Sequence, residues 1–571
     1  MRHSVDPRQI QLFNPFLDII PPLGRQRIDS GWQGIFRNCL LELMPVRQIG
    51  EHFHPAFGRP TKEHYSIAGL MLLQEMNNWT NSETVEAYLF RTDVQFALNL
   101  EPGRDELSER TWERYRALYR EDELAHFVMN AVTQKLVEQL DLSIDQQRLD
   151  STHVFSNMAR FGRTRLLAVT CKRFLAQVRR HFPDDFSDLP EELRQRYAPS
   201  TGTLFSDKGK SPQERDRSRQ QAAEDMHELI ERFADHSGLN TRPSYKVMVT
   251  VFEQQCEVIE AKVRIRRKSG VCVQNSSDLD ATYDFHKGVG YKAQLSETCS
   301  DENGVQLIVA ALVQTASAKD AEALPAVLED LRQNELLPES MLADTSFGGD
   351  GNVQKAAALG VELVAPVGGQ EVQREPDDPE LGPPLTMDDF AVDERTGDAT
   401  ACPAGRVPLQ VLTDVETNET TIEMSAADCK ECPFQKVCPM QKRPGDRYTL
   451  KYTAKQRRVE ERRREQATPA FRERYSKRSG IESTNGGLKR RLGFGKLRVR
   501  GMKAVSHALY LKIAGWNLLR VAAALKMGGF WVRKGLRDRI RRWLRPAYRP
   551  ACQVALRVRA GGSLGIGSAF A

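Results

Sequence analysis

The chain has 571 residues, with 82 Lys and Arg against 76 Asp and Glu, a formal net charge of +6 and 40% hydrophobic residues. That length exceeds one ordinary core and implies roughly two to four domains, and the composition excludes a fibre or a disordered tail. No run of 18 uncharged apolar residues occurs, because the best stretch, 508–525, is broken by Lys512, Asn517 and Arg520; no membrane span is expected.

The N-terminus lacks a signal-peptide apolar core. The expected location is therefore cytoplasmic, where cysteines are thiols or metal ligands rather than disulfides. Residues 1–60, rich in Pro, Gly and aromatics, read as an irregular arm with one short helix near 33–45. Residues 62–125 read as helices: SIAGLMLLQEMNNW has helical apolar spacing, Thr80 and Glu83 stand at capping-box spacing, and Ser108 is placed to cap ERTWERYRALYRE. Residues 1–125 thus form an all-α N-terminal domain, either a DNA-binding module or a plain bundle.

From 126 to 370 the pattern is mixed. DELAHFVMNAVTQKLVEQL reads as an amphipathic helix. QQRLDSTHVF, YKVMVTVFEQQ, GYKAQLSET and VQLIVAALVQT read as strands, with a charged helical insertion over about 163–238. DAEALPAVLEDLRQ has one apolar helix face, and SMLADTSF and VELVAPVG are short apolar runs that fit buried strands. Strands followed by a helix and further strands indicate an α/β fold, a sheet with helices packed on it. Residues 371–440 form an acidic linker and a small Cys-bearing module, 441–530 are mostly helical, and 531–571 are a basic segment with a Gly/Ser tail expected to be disordered.

Charge is segregated along the chain. Residues 483–550 hold eighteen Lys and Arg and one acid, Asp538, whereas 371–398 hold ten acids and two Arg. The basic block is an electrostatic footprint for a polyanion, nucleic acid first; a solvated basic face is the plain alternative. Arg-rich 533–549 has only a thin apolar face for lying on an anionic membrane.

Four of the ten cysteines, Cys402, Cys429, Cys432 and Cys438, fall in one stretch of little apolar content. Two thiolates from a Cys-x-x-Cys turn and two more close a tetrahedral zinc site, and the metal would supply folding energy that such a segment lacks. The alternative is a reduced, metal-free loop. Neither a redox role nor a catalytic zinc is expected, since no thioredoxin-like elements flank the motif and four thiolates leave no open position.

Asp150 and Asp344 end predicted strands, and Glu482 lies early in a helical region. Carboxylates are hard ligands suited to Mg²⁺ or Mn²⁺, although singly each is more often a cap or turn residue. Tyr475, Arg478, Glu482 and Lys489 are spaced Y-x2-R-x3-E-x6-K. At about 100° per residue they fall at about 0°, 300°, 340° and 320°, one face of a continuous helix. A carboxylate between two cations and a phenol suits a metal ion and a phosphate. Gly486 and Gly487 interrupt that face, each costing a helix about 1 kcal/mol relative to Ala.

These residues resemble the DDE transposases of bacterial insertion sequences, in the group marked by the YREK signature. The match runs through RLDSTHVFSN, LADTSFGGDGN and YSKRSGIESTNGGLKRRLGFGKLRVRG, with a weaker N-terminal likeness in GRPTKEHYSIAGLMLLQEMNNWTNSETVEAYLFRTDVQFAL, and covers about 35–525. A Cys-rich insertion between the second Asp and the Glu occurs in one branch of that group.

The resemblance implies a ribonuclease-H-like catalytic core with insertions. It implies that Asp150, Asp344 and Glu482 are catalytic and bind two Mg²⁺ (or Mn²⁺). It also implies that Tyr475, Arg478 and Lys489, joined by Arg490 and Arg491 of the basic block, hold DNA. The implied activity is binding of transposon terminal inverted repeats by a dimer or larger synaptic complex in a bacterial cytoplasm, at the nucleoid. Metal-assisted hydrolysis at each end would be followed by attack of the freed 3′-OH on target DNA. An inactivated, DNA-binding relative, a ribonuclease-H-like nuclease and a membrane-surface protein are the rival expectations.

Overall fold

The computed structural model describes residues 2–8, 15–158, 161–206, 209–267, 271–369, 384–393, 397–414 and 417–527. Most of the acidic linker, and all of the basic segment and tail 531–571, lie outside the described residues.

The N-terminal stretch is more helical than its Pro and Gly content suggested. Pro22 opens the helix Pro22–Asp29 at its first position, where a missing N–H costs nothing. Trp32–Ile35 runs on through a π-turn, Phe36–Leu40, whose Phe36, Cys39 and Leu40 are buried. Val46–Glu51 adds another turn. Helix His64–Asn77 is capped by the Glu63 carboxylate on the N–H groups of Tyr65 and Ser66. The Thr80–Glu83 capping box forms at the start of Asn81–Phe90, and Ser108 caps Glu109–Glu121 through the Thr111 N–H.

Next comes α1 (Leu124–Leu140), then the first strand, β1 (Gln146–Val154). After it the chain leaves the sheet and builds a separate helical cluster from α2 (Arg163–His181), α3 (Pro212–Phe233) and α4 (Pro243–Gln255). Phe174, Met226, Leu229 and Met248 form its own core. The segment YKVMVTVFEQQ, expected as a strand, is α4. Pro243 sits at its first turn, and Tyr245, Met248 and Val251 recur at a three-residue interval and are buried against α2 and α3. Burial of that stripe outweighs the β preference of its valines. Only at Cys256 does the chain extend, into a hairpin of Cys256–Ile259 with Lys262–Ile265.

The chain then returns through a short strand, Thr282–Asp284, to β2 (Gly288–Thr298), β3 (Ile308–Thr315), β4 (Ser340–Leu342) and β5 (Glu362–Val364). β2 lies antiparallel between β1 and β3, while β4 runs parallel on the other side of β1 with β5 parallel beyond it. The spatial order is therefore β3-β2-β1-β4-β5, with β1 central. One face shares a single core with α1 and the N-terminal helices, including Leu70, Val132, Leu328 and Met341.

Four short strands then form a small antiparallel sheet, in the order Gln410–Thr413, Glu419–Ser425, Arg447–Thr453, Gln441–Arg443. Ile422, Met424, Tyr448 and Tyr452 give it a modest core. Thr453 and Gln456 make a capping box that starts α5 (Ala454–Ala467), a helix with no buried residue. Its arginines tie this unit to the segments that follow β4 and β5. Arg458 donates twice to Asp350, at 2.9 and 2.7 Å, and Arg462 donates to the Gly348 and Ala365 carbonyls.

Two helices complete the fold, α6 (Gly480–Leu492) and α7 (Met502–Met527). By length and composition α7 could cross a membrane, but 67% of its apolar window is buried in the protein. Two of its buried polar residues, Lys512 and Asn517, are hydrogen-bonded there. Lys512 bonds the Glu75 carbonyl and Asn78, and Asn517 bonds Thr133 and both the N–H and the C=O of Ile308. It is a core helix.

Candidate active site

Asp150 sits in the middle of β1, opposite Leu295 of β2. Because side chains alternate along a strand, Arg148 and Asp150 share a face, and the C-terminal segment lies on that face. Arg148 donates to Glu297 through Nε at 2.8 Å and Nη2 at 2.6 Å, and to the Lys477 carbonyl at 2.9 Å. Thr484 donates to the other Glu297 oxygen at 2.7 Å. Glu297 is fully buried, so this charge-assisted network fixes β1, β2 and the start of α6 together.

The helix face inferred from spacing is not continuous. Tyr475 lies in the last turn of the helix Pro469–Ser476, Lys477–Ser479 form a 3₁₀ turn, and α6 starts at Gly480. A Cβ at Gly480 would lie 1.9 Å from Arg148 Nη1, so a larger residue would push the guanidinium off Glu297 and the Lys477 carbonyl. The suspected interruption at Gly486 and Gly487 does not occur, as both lie inside α6. Gly487 instead lets Trp516 of α7 pack against the helix, since an added Cβ would meet that ring at 2.4 Å.

The 3₁₀ turn swings Arg478 into the site. Its Nη2 is 3.0 Å from Asp150 and its Nη1 is 3.7 Å from Glu482. Asn485, one turn after Glu482, donates to the second Asp150 oxygen at 2.9 Å. Burial raises the Asp150 carboxyl above its ordinary range; Arg478 opposes that shift and Asp344 adds to it. Asp344 follows β4, is half-buried, and accepts from the Ser346 N–H at 2.9 Å and its hydroxyl at 2.5 Å. Tyr475 stacks on Phe471 at 5.7 Å. Its phenol is raised by burial, with the charges of Arg478, Asp344 and Asp150 acting on it.

Lys489 is lowered by burial and by Lys287, while Asp150 pulls it the other way. Arg490 and Arg491 are exposed on α6. The Glu482 side chain is 69% exposed. Thus Asp150, Arg478 and Asn485 are in direct contact, Asp344, Tyr475 and Lys489 act on them electrostatically, and Glu482 reaches them only through Arg478. Among the described residues no three His, Cys, Asp or Glu side chains converge closely enough to hold a metal ion.

Asn485 and Lys287 were not singled out from sequence. Asn485 follows Glu482 by three residues, a helical spacing that puts it on the same face. Lys287, in the turn between Thr282–Asp284 and β2, carries no local signal at all.

The four cysteines of the small sheet line one cavity of about 30 Å³. Cys402 and Gly405 close a tight turn, the Gly405 N–H donating to Cys402 at 2.8 Å, and Cys429 and Cys432 flank another. Burial, and then the neighbouring thiols, push Cys429 up to about 11. The donor set is right for zinc in kind and number, but the thiols do not converge on one point.

Residues 401–522 match the family model described as Transposase DDE domain. The match takes in the Cys unit, Tyr475, Arg478, Glu482, Asn485 and Lys489, and leaves Asp150 and Asp344 outside. A comparison with curated proteins finds no match. Among solved structures, the chain is matched to the "Cryo-EM structure of piggyBac transposase synaptic complex with hairpin DNA". Identity is 8% over 97% of this chain and 83% of that one, and the TM-score of 0.26 is too low to bear on the fold. The C-terminal part of the chain is thus similar to the DDE domain of transposases.

Proposed function

We propose that the protein is a DNA transposase with a ribonuclease-H-like core. One observation carries this reading. The segment with the transposase-domain match lays Arg478 and Asn485 on Asp150 at the centre of a β3-β2-β1-β4-β5 sheet, and Asp344 leaves the adjacent β4.

Asp150 and Asp344 are hard oxygen donors that oppose each other electrostatically in a partly buried site, an arrangement a divalent cation relieves. They fit Mg²⁺ or Mn²⁺, and Glu482 is the third ligand in this reading. A bound ion pair supplies stabilisation of the attacking and leaving oxygens of a phosphodiester. The chain's own groups do the rest. Asn485 orients Asp150, Tyr475 and Arg478 meet phosphate oxygens, and Lys489, Arg490 and Arg491 neutralise the backbone. The substrates are the inverted repeats of the element and then target DNA, joined through a freed 3′-OH by a dimer or larger complex in a bacterial cytoplasm. In this reading the four thiols of the Cys unit, right in kind and number, would draw together around a structural zinc.

The test is end-labelled DNA carrying the sequences that flank the gene, any inverted repeats included, incubated with the full chain and Mg²⁺. Strand-transfer products are expected. Nicking without joining would assign a nuclease instead, and no reaction with intact DNA binding would assign an inactive relative. Metal analysis of the purified chain should give about one zinc, and Cys432→Ser should remove it.

A further inference from the structure

Where the helical cluster meets the sheet, a cavity of about 470 Å³ opens between α2 and the start of α4. Its lining includes Thr170, Arg173, Gln177, Arg242, Ser244 and Ser276, and contains no Asp or Glu. Arg173 donates to Ser276 at 3.3 Å. Arg242 lies over Phe182 at 5.4 Å and donates to the Gly238 carbonyl at 3.2 Å. Among the described residues both guanidinium groups have neutral hydrogen-bond partners and neither forms an ion pair. Helix α4 begins here without a side-chain cap, and the Ser244 hydroxyl has no hydrogen-bond partner among the described residues.

The cavity is linked to the candidate active site by covalent and hydrogen-bonded neighbours. Beyond β1, Phe155 and Asn157 pair with the segment after α6, the Phe155 N–H to Gly495 at 3.0 Å and the Asn157 N–H to Val499 at 2.8 Å. In that extended segment Lys496, Arg498 and Arg500 are exposed and Leu497 is buried, the alternation of a strand with one cationic face. Arg500 is near enough to Arg173 to depress its pKa, after burial. Lys489, Lys496 and Arg500 thus lie between the candidate active site and the cavity, with Arg498 paired to Glu83 at 3.6 Å.

We propose that this cavity is a second anion site, binding a backbone phosphate of the DNA engaged at Asp150, so that the helical cluster is a DNA-gripping arm. Two guanidinium groups and hydroxyls are groups that hold phosphate, and no carboxylate lines the cavity among the described residues. The identity of the polyanion rests on the transposase reading; the phosphate site rests on the cavity.

The experiment is fluorescence anisotropy of the full chain with end-bearing duplex over a salt series, with calorimetry against dAMP as the free-phosphate arm. The variants are Arg173→Gln with Arg242→Gln, and Ser244→Asp. An acid at the second residue of α4 favours the helix dipole, so Ser244→Asp puts a repelling charge in the cavity without removing packing. Both variants should bind duplex about tenfold more weakly at unchanged melting temperature, and the double variant should lower the salt slope by about one. Unchanged affinity and slope in Ser244→Asp overturns the phosphate site and leaves the transposase reading standing. Micromolar dAMP binding that the double variant abolishes, with duplex affinity unchanged, also overturns it, in favour of a nucleotide pocket. A wild-type chain that binds no duplex overturns the DNA reading itself.

Discussion

Arg478 donates to Asp150 across 3.0 Å although 328 residues separate them in the chain. The contact is set from beneath, because Arg148, two residues before Asp150, holds the Lys477 carbonyl and so fixes the turn on which Arg478 stands. Replacing Asp150, Asp344 by Asn or Glu482 by Gln should lower DNA cleavage by about 1000-fold or more with duplex affinity kept within about twofold. Retained cleavage in Asp150→Asn would sink the catalytic assignment.

Asp150→Asn should not cost stability. The Asp150 carboxyl is raised in the folded protein by burial and Asp344, so its ionised form works against folding. The variant's advantage should be absent below the ordinary Asp range, where both states are protonated. It should grow as pH rises toward the raised folded value and level off above it. Loss of the charge opposite Arg478 keeps the gain small, a few degrees at most. Thermal melts of both proteins from acid to neutral pH measure it, and a lower melting temperature for the variant at pH 7 would contradict this account.

Asn485→Ala removes a neutral donor from Asp150 and leaves the carboxylate with Arg478. Groups that orient a reacting carboxylate are typically worth about 10–100-fold. The expected loss is in kcat, with KM for DNA unchanged; a loss confined to KM would make Asn485 a DNA contact instead.

Gly487→Ala should destabilise by about 1–3 kcal/mol, the range for overpacking, because its Cβ would lie 2.4 Å from Trp516. Combining it with Trp516→Leu should return much of that loss in urea unfolding. If the double variant is no more stable than the sum of the two single changes, the contact is not what constrains the position.

Asp350, held by Arg458, lies below the usual carboxylate range. A depressed carboxyl contributes stability above its unfolded value and loses it as pH falls through the folded one. Arg458→Gln should therefore cost about 1–3 kcal/mol at pH 7 and little once the medium is more acidic than that depressed value. A pH-independent cost, followed by urea unfolding, would assign Arg458 a packing role.

Replacing Lys489, Arg490 and Arg491 together by Gln should reduce the slope of log binding constant against log salt by about three. The effect should be similar for any duplex sequence, since phosphate contacts position DNA without reading it. An unchanged slope would move the DNA track away from α6.

The sequence by itself determined the local devices. The capping box at Thr80 and Glu83, the Ser108 cap and the short apolar strands around Asp344 are written in neighbouring residues, and the structure forms them. It also picked out Arg478, because its spacing from Glu482 is local information. What tertiary structure decided is which distant groups meet. The valine-rich run at 245–255 became a helix because α2 and α3 offered its apolar stripe a core. The face drawn from Tyr475 to Lys489 broke at Lys477–Ser479, where Arg148 of β1 takes a carbonyl that a continuous helix would have used. Asn485 and Lys287 come to the site by packing and pairing whose partners lie hundreds of residues away or on another strand. A local pattern records the shape a segment can take, and burial against the rest of the chain selects the shape it does take and the charges it faces.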